Sequence, residues 1–196
     1  MGVSLSTFAL YPREVDGLIG IFTAPFIHGN ISHITSNSVP LFVLSLIICL
    51  FYRNIAIQSI FLIYVLTGLA VWGLARGNVA HIGASGVVYG LVSFVFWTGI
   101  FRRNLKSIVL ALIVTLLYSG YFLGVLPNQR GISWESHLFG GLVGILVAYW
   151  LRERLDNDER DDLYDHLEEG EKKYYLPRDT FERTRSERQA EIRPDQ

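Results

Sequence analysis

A net charge of −1 on 196 residues argues against a nucleic-acid partner, and a single cysteine excludes an intrachain disulfide. Hydrophobic residues make up 51% of the chain, but charge is scarce between residues 31 and 151 and dense after it. Apolar runs of membrane-spanning length recur in that stretch, which excludes an ordinary soluble domain and points to a polytopic membrane protein.

Residues 1–33 are mixed and read as an N-terminal outer or interfacial segment. Residues 1–10 lack the basic start and long apolar core of a cleavable signal peptide. The run Tyr11-Pro12-Arg13-Glu14-Val15-Asp16 reads as an exposed turn. Residues 17–27 are apolar but short and contain Pro25, which suits a re-entrant loop better than a span. Five spans are expected over 34–52, 55–74, 85–101, 107–125 and 137–151, giving an all-α membrane helix bundle over 34–151. Cys49 lies in the first of them and reads as a packed thiol. At about 1.5 Å per residue the third and fifth spans reach roughly 25 Å or less, short of a hydrocarbon core of about 30 Å. Their first residues, Ser85 and His137, are therefore expected to lie recessed below one surface.

Orientation follows from the basic residues of the short loops. Arg53, Arg102, Arg103, Lys106, Arg152 and Arg154 fall on one side, against Arg13, Arg76 and Arg130 on the other. The richer side is expected to be cytoplasmic, in a plasma membrane of prokaryotic type, and carries the charged tail 152–196. That tail is strongly acidic over 156–171 and is expected to be weak helix or disorder.

The third span opens His81-Ile82-Gly83-Ala84-Ser85-Gly86, and the fifth opens Ser136-His137-Leu138-Phe139-Gly140-Gly141-Leu142-Val143-Gly144. Gly86 and Gly90, and likewise Ser136, Gly140 and Gly144, repeat at intervals of four, the spacing that lets two membrane helices approach closely. Gly141 sits within the same small-residue run. Pairing these faces would bring Ser85 near His137. A serine hydroxyl is a weak nucleophile without a base. Of five histidines, His166 falls in the tail, while His28, His33 and His81 lie before the first and third spans or at their heads. His137 alone heads a charge-free helix with a packing face toward the serine. His81 competes, four residues before Ser85, but reads as a loop histidine at the interface.

Glu135 is the only acidic residue between 34 and 151, and it reads as a surface residue before the fifth span. A Ser–His dyad therefore fits better than a triad. Tyr89, one turn after Ser85, is placed to stack on His137 or simply to pack. His33 and Asn37 share a face at the head of the first span. With the Ser85 amide they are candidate oxyanion donors, or else bundle hydrogen bonds. His28 and His33 lack a neighbouring carboxylate and do not form a zinc pattern, so no metal is expected. Trp134, Tyr118 and Tyr121 are candidates for gating or for interfacial aromatics.

These residues resemble the rhomboid family of intramembrane serine proteases. Gly83-Ala84-Ser85-Gly86 matches its GxSG motif, His137 with Gly140, Gly141 and Gly144 its histidine helix, and His28, His33 and Asn37 its HxxxxHxxxN segment. The likeness covers about 11–151. It implies Ser85 as nucleophile, His137 as general base, and His33, Asn37 and the Ser85 amide as oxyanion groups. It further implies cleavage in or near transmembrane segments of other membrane proteins, without a cofactor. Two departures stand out. The family core has six helices, and the one before the His28 segment is missing here. Ile19-Gly20 also stands where some bacterial members carry a Trp-Arg pair, so the loop is expected to seat differently. The alternative reading is a catalytically inactive rhomboid-like protein that binds client transmembrane helices. A solute transporter ranks lower, because no charged pathway crosses the bundle.

Overall fold

A computed structural model describes residues 5–77, 79–103, 105–126 and 133–174, with the side chains of 5, 6, 106, 121–123 and 155–174 left aside. The chain divides into two compact units, Met1–Asp156 and Asn157–Gln196. Every regular element among the described residues is helical: α1 (Gly20–Thr23), α2 (Ile31–Phe51), α3 (Ala56–Leu74), α4 (Ser85–Arg102), α5 (Leu105–Leu117) and α6 (Trp134–Tyr174), with short 3-10 turns between them. Arg130 of the orientation argument and tail residues beyond 174 lie outside the described residues, as do the side chains of Tyr121 and His166.

Among the described residues, three helical stretches are long and apolar enough to cross a membrane: Ile31–Phe51, Arg53–Leu74 and Ser85–Arg102. The expected fourth span divides. Its α-helix ends at Leu117, and Ser119–Val125 forms a 3-10 helix instead. The expected fifth span is the start of the longer α6, whose helix carries on through the acidic stretch to Tyr174.

α4 is the central helix. Half of its span is buried, against 33% for α3 and 22% for α2. Val88, Leu91, Phe94 and Val95 are fully buried on it, and pack in one core with Leu44 and Ile48 of α2, Ile63 of α3, Val114 of α5 and Val147 of α6. Phe42, Leu46 and Leu50 of α2 point outward, as they must where lipid replaces water as the solvent. Cys49 is also exposed on α2 rather than packed in the core. The reading of a buried thiol fails because an apolar run does not tell a core face from a lipid face.

Helix ends follow local chemistry. Asn30 caps α2 by accepting the His33 N–H at 2.8 Å. The segment before it is lashed to α3. Tyr64 donates its hydroxyl to the Phe22 carbonyl (2.6 Å), the Trp72 indole N–H donates to the Glu14 carbonyl (2.9 Å), and Arg13 donates to the Ala75 carbonyl (2.7 Å). Ile21 rests on Gly68, and Gly20 sits so close to the Leu10 backbone that a Cβ would overlap it. At the opposite end of the bundle, the Arg102 guanidinium lies 5.6 Å from the Tyr52 ring centre and Arg154 donates to Gln58 at 2.7 Å.

Candidate active site

Ser85 is the first residue of α4, and no side chain caps that helix end. Its first-turn N–H groups therefore have no intrahelical acceptor. The approach is a turn through Gly83, whose φ of +91° suits glycine alone. The Gly83 N–H donates to the Ala24 carbonyl at 2.9 Å, which fixes the turn against the N-terminal segment. A Cβ on Gly83 would lie 2.7 Å from His33 Nε2 and 3.1 Å from Asn37 Nδ2. Both α2 side chains thus converge on the backbone just ahead of Ser85. His33 Nδ1 takes a long hydrogen bond from the Gly29 N–H (3.5 Å), which assigns the ring proton to Nε2, the atom facing the turn. Asn37 is buried, and its Nδ2 has no hydrogen-bond partner among the described residues. The His28 ring packs edge-on against His33, centroids 5.0 Å apart, and its buried Nε2 also lacks a partner among the described residues.

His137 comes from the first turn of α6. Its Nε2 lies 2.8 Å from Ser85 Oγ, and its Nδ1 lies 2.8 Å from the Gly124 carbonyl oxygen. A carbonyl only accepts, so Nδ1 must carry the proton. Nε2 then presents a lone pair to the serine hydroxyl. Tyr89 stacks on the imidazole, 4.1 Å between centroids and 6° between planes. The Gly124 carbonyl thus holds the tautomer that an aspartate fixes in a triad. Sequence reasoning missed it, because a backbone acceptor has no residue signature. The one available signal was the glycine itself, since a Cβ at 124 would collide with the Tyr89 hydroxyl.

Close packing brings the two groups together. A Cβ on Gly140 would overlap the Gly86 carbonyl, and one on Gly144 would overlap the Gly90 carbonyl. Gly86 in turn would place a Cβ 3.0 Å from the Ser136 carbonyl. Gly141 does not belong to this seam: a Cβ there meets nothing within 4 Å. Its carbonyl instead accepts the Ser93 hydroxyl at 2.7 Å.

One expectation needs correction. Glu135 is not a surface residue. It is 4% exposed, and its Oε1 accepts the Arg76 Nε–H at 2.6 Å, with a further bond from Nη2 to Oε2 at 3.3 Å. Burial opposes the carboxylate charge, but the hydrogen bonds and positive charge of Arg76 outweigh it and hold the Glu135 pKa below the usual carboxylate value. The arginine at the end of α3 is what makes the buried acid tolerable. His81 lies on the loop between α3 and α4, as expected. It is buried, and its Nδ1 bonds to Ser133 Oγ and, at 3.1 Å, to Ser136 Oγ. Of the suggested gating residues, Trp134 lies under the Arg76 guanidinium at 5.8 Å, and Tyr118 is half-buried. Among the described residues no three His, Cys, Asp or Glu side chains gather into a metal site.

A family model for the rhomboid domain matches residues 16–154. An uncharacterized protein of Mycobacterium tuberculosis is 35% identical over 158 residues, which cover 76% of this chain and 66% of that relative. One of Mycobacterium leprae is 34% identical over 156 residues, covering 76% and 62%. A mouse protein named rhomboid-related protein 2 is 26% identical over 161 residues, covering 76% and 53%. The chain therefore spans 66% or less of the length of these curated relatives. No solved structure matches. With this match and its apolar helices, the chain is an integral membrane protein that belongs to the rhomboid family.

Proposed function

We propose that this protein is an intramembrane serine endopeptidase that cleaves peptide bonds in or near transmembrane segments of other membrane proteins. The observation that carries the reading is the line Gly124 carbonyl–His137–Ser85, 2.8 Å at each step. In the proposed reaction the Ser85 hydroxyl attacks the scissile carbonyl carbon, and its proton passes to His137 Nε2. The negative oxygen of the tetrahedral intermediate takes hydrogen bonds from Asn37 Nδ2, His33 Nε2 and the Ser85 N–H. His137 then protonates the leaving amine, and Ser85 holds the acyl group. Water, deprotonated by the same imidazole, releases it. These residues account for the reaction without a cofactor. Beginning α4 at the serine suits a site below the membrane surface, since 18 residues span roughly 27 Å. The basic end of the bundle, with Arg102 and Arg154, is placed in the cytoplasm of a prokaryotic cell by the same reading.

The test is cleavage of a single-span reporter protein in proteoliposomes. Cleavage by the wild type that disappears in Ser85→Ala and His137→Ala supports the protease. A reporter that is bound by the wild type but stays intact favours an inactive client-binding member of the family.

A further inference from the structure

His81 belongs to no step of that reaction, yet it is 3% exposed and its surroundings are built. Its backbone is fixed on both sides. The His81 N–H donates to the Leu10 carbonyl at 2.9 Å, and the Leu10 N–H donates back at 3.0 Å. Its ring reaches to the head of α6, where Nδ1 bonds both Ser133 Oγ and Ser136 Oγ, and the two hydroxyls bond each other at 2.6 Å. Burial is the main cause holding the His81 pKa below the usual histidine value, so the ring is neutral near pH 7.

The chain positions give this cluster its meaning. His81 is four residues before Ser85, and Ser136 immediately precedes His137. Ser133 stands just before α6 starts. Its hydroxyl bonds the His81 ring and Ser136. One imidazole therefore joins the turn that delivers the nucleophile to the helix head that delivers the base.

We infer that His81 is a positioning residue of the proposed active site, setting the Ser85–His137 alignment by clasping Ser133 and Ser136. The inference rests on the proposed dyad. Small misplacements of reacting groups are enough to matter, since about 1 Å can cost roughly 100-fold in rate.

The experiment measures inactivation of the purified full chain by a fluorophosphonate in mild detergent, separating the maximal rate kinact from the half-saturation constant KI, with Tm measured alongside. The expected result is a kinact roughly 10- to 100-fold lower in His81→Ala, with KI within about twofold. His81→Asn, whose amide reaches the place of Nδ1, is expected to recover most of that loss. Ser136→Ala, a small truncation that leaves the fold intact, is expected to show a smaller drop in kinact at unchanged KI. A wild-type kinact in both His81→Ala and Ser136→Ala would overturn the inference while leaving the dyad standing. So would a loss in His81→Ala that tracks a fall in Tm and is not recovered by His81→Asn, with Ser136→Ala at wild-type rate. A wild type with no Ser85-dependent inactivation would overturn the proposed function, and the inference with it.

Discussion

Two histidines in this protein each bond a serine hydroxyl through a ring nitrogen, and their surroundings differ. At His137 the Gly124 carbonyl occupies Nδ1, so Nε2 is left as an acceptor for the single hydroxyl of Ser85. At His81 the Nδ1 atom itself meets both Ser133 and Ser136, which also bond each other, and the ring interacts further with the Arg76 backbone. Ser85 stands at an uncapped helix start, beside a glycine turn on which His33 and Asn37 converge. The Ser133–Ser136 pair shares its hydroxyl protons within a closed cluster. A Ser–His contact is therefore not enough to suggest a nucleophile. A fixed tautomer and donors poised for a negative oxygen are what separate the two groups.

The comparison is broken most forcefully at the base. His137→Ala should lower fluorophosphonate labelling roughly 10⁴-fold or more, as loss of the base does in soluble serine hydrolases. Ser133→Ala should cost no more than the roughly 10- to 100-fold loss expected of His81→Ala. Equal losses in the two variants would erase the distinction. Removing a donor should come next. Asn37→Ala is expected to cut the turnover of a cleaved reporter by about 10²–10³, with little change in its KM. An unchanged turnover would assign Asn37 to bundle packing instead. The tautomer lock is sharper still as a probe. In Gly124→Ala the new methyl group meets the Tyr89 hydroxyl and lies 3.1 Å from His137 Nδ1, and labelling should fall about 10- to 100-fold. A wild-type rate in that variant would mean the carbonyl does not orient the ring.

The smallest effect is on stability. Arg76 holds the Glu135 pKa below its ordinary value, so the pair's contribution is complete above that value and is lost as pH falls through the folded-state pKa. Tm in detergent should drop as pH falls below the ordinary carboxylate range, and Glu135→Gln should flatten that drop. A parallel pH dependence in the variant would place the acid sensitivity elsewhere.

Much of the fold was legible, because membrane helices announce themselves by apolar length and by small residues at intervals of four. Gly86, Gly90, Gly140 and Gly144 carry the packing that sets Ser85 beside His137, and they could be read directly. What was not legible were backbone partners and faces. The Gly124 carbonyl is invisible as a residue type, and so is the positive-φ turn at Gly83 until its neighbours are known. Cys49 looked buried because hydropathy is the same on the core and lipid sides of α2. Glu135 looked exposed because its partner, Arg76, is distant in sequence. Gly99, pressed against Ala111 and the Ser107 carbonyl, lies outside any repeat and marks the α4–α5 contact only in three dimensions.

The central claim is that Ser85 is the activated hydroxyl and that His137 activates it. The most direct test is to treat the purified protein in mild detergent with a fluorophosphonate and locate the adduct by peptide mass. The account predicts one adduct, on Ser85, absent from Ser85→Ala and His137→Ala and retained in Ser133→Ala. An adduct on Ser133 or Ser136, or one on Ser85 that persists in His137→Ala, would contradict it.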